Sequence, residues 1–232
     1  MIDVHNHFLP NLDDGCDNIE ESLACLRMMA AAGYDRIFCT PHAGSSDFSD
    51  LTCRSIAERV RMLQGHVDAA GIPIQLRPGG ELRLTENTVT LSEIPTFGHS
   101  NKYVLADIWE PDWPAWAVEA VRFLQSKKLT VILAHPERMP MLRKDPDRIA
   151  DLAGLGLLFQ GNLGPIGGAD SRDIVALAHR FLQDGRYFLV GSDGHHLAHL
   201  PTRLAGLNAI KKIAGPETLT QLTLTHPARL WT

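Results

Sequence analysis

Positive charge is in short supply: 22 Lys and Arg face 27 Asp and Glu, a net charge of −5. The pI near 6.1 argues against nucleic acid or an anionic membrane as the main partner, because both are held by basic surfaces. Any anion recognition must therefore be local. Cysteine is scarce too. Cys16, Cys25, Cys39 and Cys53 are the 4 present, all in the first quarter and without CxxC spacing, which excludes a zinc knuckle and a disulfide framework. They are expected to be reduced and mostly buried. No apolar run approaches the roughly 20 residues of a membrane span, so no membrane insertion is expected. Neither GxGxxG nor GxxxxGK[ST] occurs, which removes the common nucleotide loops. Repeats, low-complexity tracts and linkers are also missing. The first residues read as a strand rather than a signal sequence, and a cytoplasmic protein is expected.

What the chain does have is material for a core. With 232 residues, 44% of them hydrophobic, it fits a single domain over residues 1–232 better than two small ones. Short apolar runs, polar loops and helical stretches alternate to about residue 213, the pattern of a parallel α/β fold, and a (β/α) barrel fits the length. Seven runs read as strands: Ile2 to His7, Arg36 to Thr40, Ile74 to Glu81, Tyr103 to Asp107, Thr130 to Ala134, Leu157 to Asn162 and Tyr187 to Ser192. Between them the spacing predicts helices over Asn18 to Ala32, Asp50 to Ala70, Ala115 to Lys127, Pro146 to Ala153, Ser171 to Gln183 and Pro201 to Ile213. Gly33, Gly71 and Gly185 stand where three of these should stop. The tail from Gly215 is expected to add a short helix.

The chemistry lies at the strand ends. In His5-Asn6-His7 the alternation of a strand sends both imidazoles to one side, so two ring nitrogens can reach one ion. The later runs end at His42, Glu81, Asp107, His135, Asn162, and Asp193 with His195. Any one of these histidines alone would more often be structural. In a parallel barrel, however, all C-terminal strand ends meet at one mouth, where active sites are built. Imidazoles and carboxylates without thiolate suit Mn²⁺, Fe²⁺ or Zn²⁺. The donors exceed the needs of one ion, so two to three divalent ions are expected, an arrangement suited to phosphoester hydrolysis.

The strings His5-Asn6-His7-Phe8-Leu9-Pro10, Asp13-Asp14-Gly15, Thr40-Pro41-His42, Gly79-Gly80-Glu81, His135-Pro136-Glu137-Arg138 and Gly191-Ser192-Asp193-Gly194-His195 run through nearly the whole chain. In them it resembles the PHP (polymerase and histidinol phosphatase) superfamily, specifically its CpsB/CapC-type bacterial tyrosine-protein phosphatases. The resemblance implies a distorted seven-stranded barrel and a trinuclear site, with manganese the leading candidate. Its ligands would fall on His5, His7, Asp14, His42, Glu81, His135, Asp193 and His195. The family usually carries Glu where this chain has Asp107, a shorter carboxylate that can bind without bridging two ions; Glu110 is the nearest substitute. Arg138 and Arg203 coincide with basic positions of the family, and a guanidinium's planar fork suits phosphate. The implied reaction is hydrolysis of phosphotyrosine on proteins, and the implied partner is a bacterial tyrosine autokinase governing capsule or exopolysaccharide export.

A cysteine-based mechanism is not expected: Cys16, Cys25 and Cys39 have no Arg at the sixth following position, and Cys53, which has Arg59 there, falls inside the stretch expected as a helix over Asp50 to Ala70 and not in a phosphate loop. The rival readings are a PHP phosphoesterase for a small metabolite such as histidinol phosphate or a nucleotide, and a non-catalytic regulator that keeps the barrel. Trp109, Trp113 and Trp116 follow the fourth strand, as an aromatic wall or as packing for the next helix. Gly161 to Gly168 reads as a flexible rim loop. His66, His99, His179 and His226 read as surface or capping groups, and His196 and His199 as exposed neighbours of His195.

Overall fold

A computed structural model of the chain describes residues 1–44 and 51–231. All strand pairings are parallel, and they form two sheets. The first joins β1 (Ile2–Asp3), β2 (Arg36–Cys39) and β4 (Gln75–Pro78) in the order β1-β2-β4. The second joins β3 (His42–Ala43), β5 (Glu81–Arg83), β6 (Tyr103–Asp107), β7 (Thr130–Ala134), β8 (Leu158–Asn162) and β9 (Leu189–Gly191), in the order β3-β5-β6-β7-β8-β9. Every expected strand run is present at least in part. The third is divided after Pro78, and the second ends at Cys39 with an unexpected short strand, β3, beyond it; Thr40-Pro41 and Gly79-Gly80 carry the chain from one sheet to the other. Backbone bonds cross both breaks, from Gly79 N–H to Cys39 O at 2.9 Å and from Glu81 N–H to Pro41 O at 2.9 Å. The first run leaves its ladder after Asp3, then rejoins the far sheet through a parallel bridge between Asn6 and Gly194.

Seven helices lie between strands, α1 (Ile19–Ala31), α2 (Cys53–Ala69), α3 (Ala115–Ser126), α4 (Pro140–Lys144), α5 (Ile149–Gly154), α6 (Leu163–Ile166) and α7 (Arg172–Gln183), and α8 (Leu200–Ala214) and α9 (Pro216–Thr220) follow β9, all among the described residues. Their ends follow local chemistry. Asn18 caps α1 by accepting from Glu21 N–H, and Thr52 and Ser55 form a capping box on α2. The expected first residue of α2, Asp50, lies outside the described residues. Gly33, Gly71 and Gly185 follow α1, α2 and α7 with φ of 95°, 63° and 64°, a left-handed stop that costs glycine little. The stretch expected as one helix over Pro146 to Ala153 begins as a 3₁₀ turn over Pro146–Arg148 before α5. The tail has its short helix, α9, followed by a π turn and a 3₁₀ turn.

Alternation along the strands sorts side chains between two cores. Val104 and Ala106 of β6, with Val131 and Leu133 of β7, pack under α3, α5 and α7. Leu105 and Ile132, of opposite parity, join Ile2, Val4, Phe38, Phe97 and Leu189 on the other face, which Leu230 and Trp231 cover. A third cluster places Cys25, Leu26 and Met29 of α1 against Ile56, Val60, Leu63 and Val67 of α2. These spacings of three and four residues are those of a helix with one buried face.

The segment expected to be a flexible loop, Gly161 to Gly168, is ordered by packing. It is the end of β8 followed by α6, whose four residues are all buried. A Cβ on Gly206 of α8 would sit 2.2 Å from Leu163 O. The two helices therefore pack backbone against backbone at this point.

Candidate metal centre

The expected ligand residues gather about Glu81: His42 and Glu81 open β3 and β5 just beyond the breaks after β2 and β4, Asp107 and His135 stand at the ends of β6 and β7, and the others come from the loops after β1 and β9. Glu81, buried at the start of β5, lies at the centre: His135 Nε2 reaches its Oε1 at 2.9 Å, and His42 Nδ1, His5 Nε2 and His7 Nε2 lie 3.0, 3.3 and 3.5 Å from its Oε2. Asp193 Oδ1 faces the same histidines, 3.6 Å from His5 Nε2 and 3.8 Å from His7 Nε2. Asp14 closes the outer side, with Oδ1 3.4 Å from both His42 Nε2 and His195 Nε2. Two overlapping groups result, His5/His7/Glu81 and His7/Asp14/His42/His195, each with donor atoms within 4.8 Å of one another.

Two backbone positions are bent to achieve this. Ile132 and Ala134 face the same core, so a continued strand would turn His135 away from it; His135 instead takes φ 34°, and its ring reaches Glu81. Asp193 takes φ 49°. Left-handed non-glycine residues of this kind cost of order 1–3 kcal/mol and collect at functional sites.

The donors fit divalent cations. His5 Nε2 and His7 Nε2 are buried nitrogens with no hydrogen-bond partner, although both lie against carboxylates, and orphaned buried polar atoms are costly. The carboxylates also call for positive charge. Burial disfavours the His5 imidazolium, yet the Glu81 charge outweighs it and lifts the pKa to about 10. His42 is lifted to about 9 against burial by the same carboxylate. Asp193 is held well below the usual carboxylate range, burial being overcome by His5, Arg203 and Arg138. His195 goes the other way, down to about 4, through burial and the neighbouring His7.

Asp107 lines the same cavity of about 430 Å³. Its Oδ2 accepts from Trp109 Nε1 while its Oδ1 has no partner. Burial, then the charge of Glu81, raises its pKa to about 7. Glu110, the alternative carboxylate, lines that cavity as well. Arg138 Nη1 and Arg203 Nη1 both reach Asp193 Oδ2, at 3.2 and 3.0 Å. Of the two, Arg138 lines the cavity, with 37% of its side chain exposed.

Several supporting residues are not evident from spacing. Asp13 accepts from His7 Nδ1–H at 2.6 Å and from the His42 and Gly15 main-chain N–H groups, which aims His7 Nε2 at Glu81. Only its place beside Asp14 in the motif could have pointed to it. Asp3, fully buried, accepts from Ser192 N–H, Ser192 Oγ–H and Asn6 Nδ2–H at 2.9, 2.8 and 2.9 Å, and so ties the first strand to the Asp193 loop. Gln160, Asn162 and Glu137 form a buried layer beneath His5 and Asp193.

Among the tryptophans, Trp109 is 59% exposed at the rim, with the Arg83 guanidinium 3.6 Å over its ring. Trp113 and Trp116 pack against the main core, so only Trp109 is available as a wall. His179 and His226 are partly buried and bonded to Ile166 O and Phe188 O, rather than lying free at the surface. His196 pairs with Glu21. Cys16, Cys25 and Cys39 are buried free thiols and Cys53 is half-buried. Among the described residues, no helix is long and apolar enough to cross a membrane.

Fold and site together define a parallel α/β protein with a histidine–carboxylate centre suited to metal ions. The family model for capsular polysaccharide synthesis, CpsB/CapC, matches residues 1–232, and the chain belongs to this family. It is 26% identical over 200 residues to the tyrosine-protein phosphatase YwqE of Bacillus subtilis, covering 85% of this chain and 78% of that protein. Over 239 residues it is 24% identical to the tyrosine-protein phosphatase CpsB of Streptococcus pneumoniae, covering 99% and 98% of the two. A solved structure from work on YwqE and CpsB, described there as unique metal-dependent tyrosine phosphatases, superposes with a TM-score of 0.88 at 25% identity, over all of this chain and 94% of that one. The lactonase Lmo2620 of Listeria monocytogenes shares the fold at a TM-score of 0.59 and 12% identity.

Proposed function

We propose that this protein is a metal-dependent phosphatase acting on phosphotyrosine in proteins. The observation that carries the reading is the convergence of His5, His7, His42, His135 and His195 with Asp14, Glu81 and Asp193 at one mouth, in a chain matched along its full length by the family of YwqE and CpsB. These side chains, with Asp107 at the border, would hold two to three divalent ions, manganese first and iron or zinc as alternatives. The ions would supply Lewis-acid stabilisation of charge on a phosphoryl group. We read the two sheets as one distorted seven-stranded barrel of the PHP type, because backbone bonds span both breaks and Asn6 meets Gly194.

The protein's own part is orientation and charge. Arg138 stands at the cavity with donors beyond those spent on Asp193 and Asp170, free to pair phosphoryl oxygens; a guanidinium has five N–H donors. Arg203, less exposed, supports from behind through Asp193 and Ser192 O. A phenol with a pKa of about 10 departs without a dedicated acid. Trp109 offers the face against which the phenol ring would lie. The cellular substrate proposed is a bacterial tyrosine autokinase linked to capsule or exopolysaccharide export, and the setting proposed is the cytoplasm.

The test is a substrate panel on protein of known metal content, with wild type and Trp109→Ala compared on a phosphotyrosine peptide and a small alkyl phosphate. Wild type should prefer the peptide, and the variant should raise KM several-fold for the peptide alone; ring stacking contributes about 0.5–1.5 kcal/mol. An equal loss on both would assign Trp109 to packing. A wild-type preference for histidinol phosphate or a nucleotide would replace the protein-phosphatase reading with that of a small-metabolite enzyme.

A further inference from the structure

Beneath the metal centre lies a line of buried amides whose direction can be worked out atom by atom. Asp193 Oδ2 already receives Arg138 and Arg203, and a carboxylate between two guanidinium groups can only accept. Asn162 Nδ2, 2.7 Å from that oxygen, therefore donates to it. The Asn162 amide is thereby oriented, and its Oδ1 must accept from Gln160 Nε2 at 2.8 Å. The same Gln160 nitrogen donates to Gly161 O at 2.6 Å. Gln160 Oε1 is then the atom 2.7 Å from His5 Nδ1, and it can only accept, so His5 carries a proton on Nδ1. The other ring nitrogen, Nε2, is the buried atom without a hydrogen bond that faces Glu81 and Asp193. Reversing Asn162 would set its carbonyl against the Asp193 carboxylate and its N–H against that of Gln160, and reversing Gln160 would set its carbonyl against Asn162 Oδ1 and Gly161 O.

We infer that Gln160 and Asn162 are positioning residues, a one-way hydrogen-bond chain that lets the carboxylate of Asp193 dictate which nitrogen His5 offers to a metal ion. Neither residue is among the family's motif ligands read above, and the inference rests on the metal reading of the site. Three features support it. Both side chains are fully buried, where polar groups are expensive unless they are matched. The Asn162 main chain is pinned by its N–H to Glu137 Oε1 at 2.8 Å, and Tyr187 O–H holds the other oxygen of that carboxylate at 3.0 Å. Gly161, between the two amides, lies against the Tyr187 ring; a Cβ there would sit 2.6 Å from it, so the strand cannot shift without losing this contact. Partners of this kind orient ligating imidazoles, and their removal typically lowers metal affinity about 10- to 100-fold.

The test uses Zn²⁺ itself, which is diamagnetic, on wild type, Gln160→Met and Asn162→Leu. Affinity is read by competition with a chelator, and the ring protons of His5 by ¹H–¹⁵N NMR of the Zn²⁺-loaded protein. In wild type, His5 should show a slowly exchanging Nδ1–H. In Gln160→Met that proton should exchange quickly or disappear, with Zn²⁺ bound at least tenfold more weakly. The double variant should lose less than the product of the single losses, because both break one chain. A His5 in the wild-type complex that carries its proton on Nε2 overturns the inference, whatever the variants do. So does unchanged Zn²⁺ affinity and an unchanged His5 signal in a folded Gln160→Met. Wild type that binds no Zn²⁺ would overturn the metal reading and this inference together, whereas binding with unaffected variants would overturn this inference alone.

Discussion

Arg138 and Arg203 share one carboxylate oxygen but are not equivalent. Arg138 has 37% of its side chain exposed and lines the cavity, whereas Arg203 is 17% exposed and also donates to Ser192 O. Lysine keeps the charge and loses the fork, so Arg138→Lys should lower kcat/KM about tenfold or more. Arg203→Lys should act through Asp193 and cost metal affinity as well. Steady-state kinetics with a metal titration separates the two effects, and unchanged kinetics for Arg138→Lys would make it a surface residue. At this scale, the site was legible in the sequence wherever a ligand type ended an apolar run. His5, His7, His42, Glu81, His135, Asp193 and His195 come together as that reading expects, because strand ends converge. Gln160 was not legible, since it lies inside β8 with nothing in its spacing to separate it from a core residue. Asp13 was overshadowed by Asp14, and choosing between adjacent carboxylates requires knowing which one the main chain of His42 meets.

At the scale of elements, the contact between α6 and α8 governs where Arg203 stands. Gly206 permits it, with Leu163 O only 2.2 Å from where a Cβ would be. Gly206→Ala should push α8 away at a cost of about 1–3 kcal/mol, typical of overpacking, and lower Tm by several degrees. Arg203, one turn earlier on α8, should be carried off Asp193, so activity should fall with stability. Thermal unfolding and kinetics on the variant check both, and an unchanged Tm would mean that the helices part easily. Helix boundaries read well from the sequence where caps and stops are local, as at Asn18, Gly33 and Gly71. They read poorly at Gly161 to Gly168. There glycine composition suggested freedom, yet the glycines serve close packing that only a partner helix reveals. The split strands were hidden for a similar reason: Thr40-Pro41 and Gly79-Gly80 pass between sheets while the apolar pattern continues.

For the molecule as a whole, buried acids couple stability to pH. Glu137 is fully buried, and burial holds its carboxyl above the ordinary glutamate value despite the N–H of Asn162 and the O–H of Tyr187. The folded protein therefore binds that proton more tightly than the unfolded chain. The resulting stabilisation is complete below the ordinary glutamate pKa and is lost as pH rises through the raised value. A glutamine side chain in its place cannot titrate, so the Tm of wild type minus that of Glu137→Gln should decrease from pH 4 to pH 8 when both are measured in chelator. A difference independent of pH would show that Glu137 titrates normally.

The chemistry is a property of the whole assembly too, since the first strand, the Asp193 loop and the runs that carry His42, Glu81, Asp107 and His135 must meet to place the donors. Its most direct test is phosphatase activity on a phosphotyrosine peptide with metal removed and restored. Metal-stripped protein should retain the fold and lose nearly all turnover, and Mn²⁺ added back to about two to three ions per chain should restore it. Full turnover in excess chelator, by protein shown to be free of metal, would contradict the account.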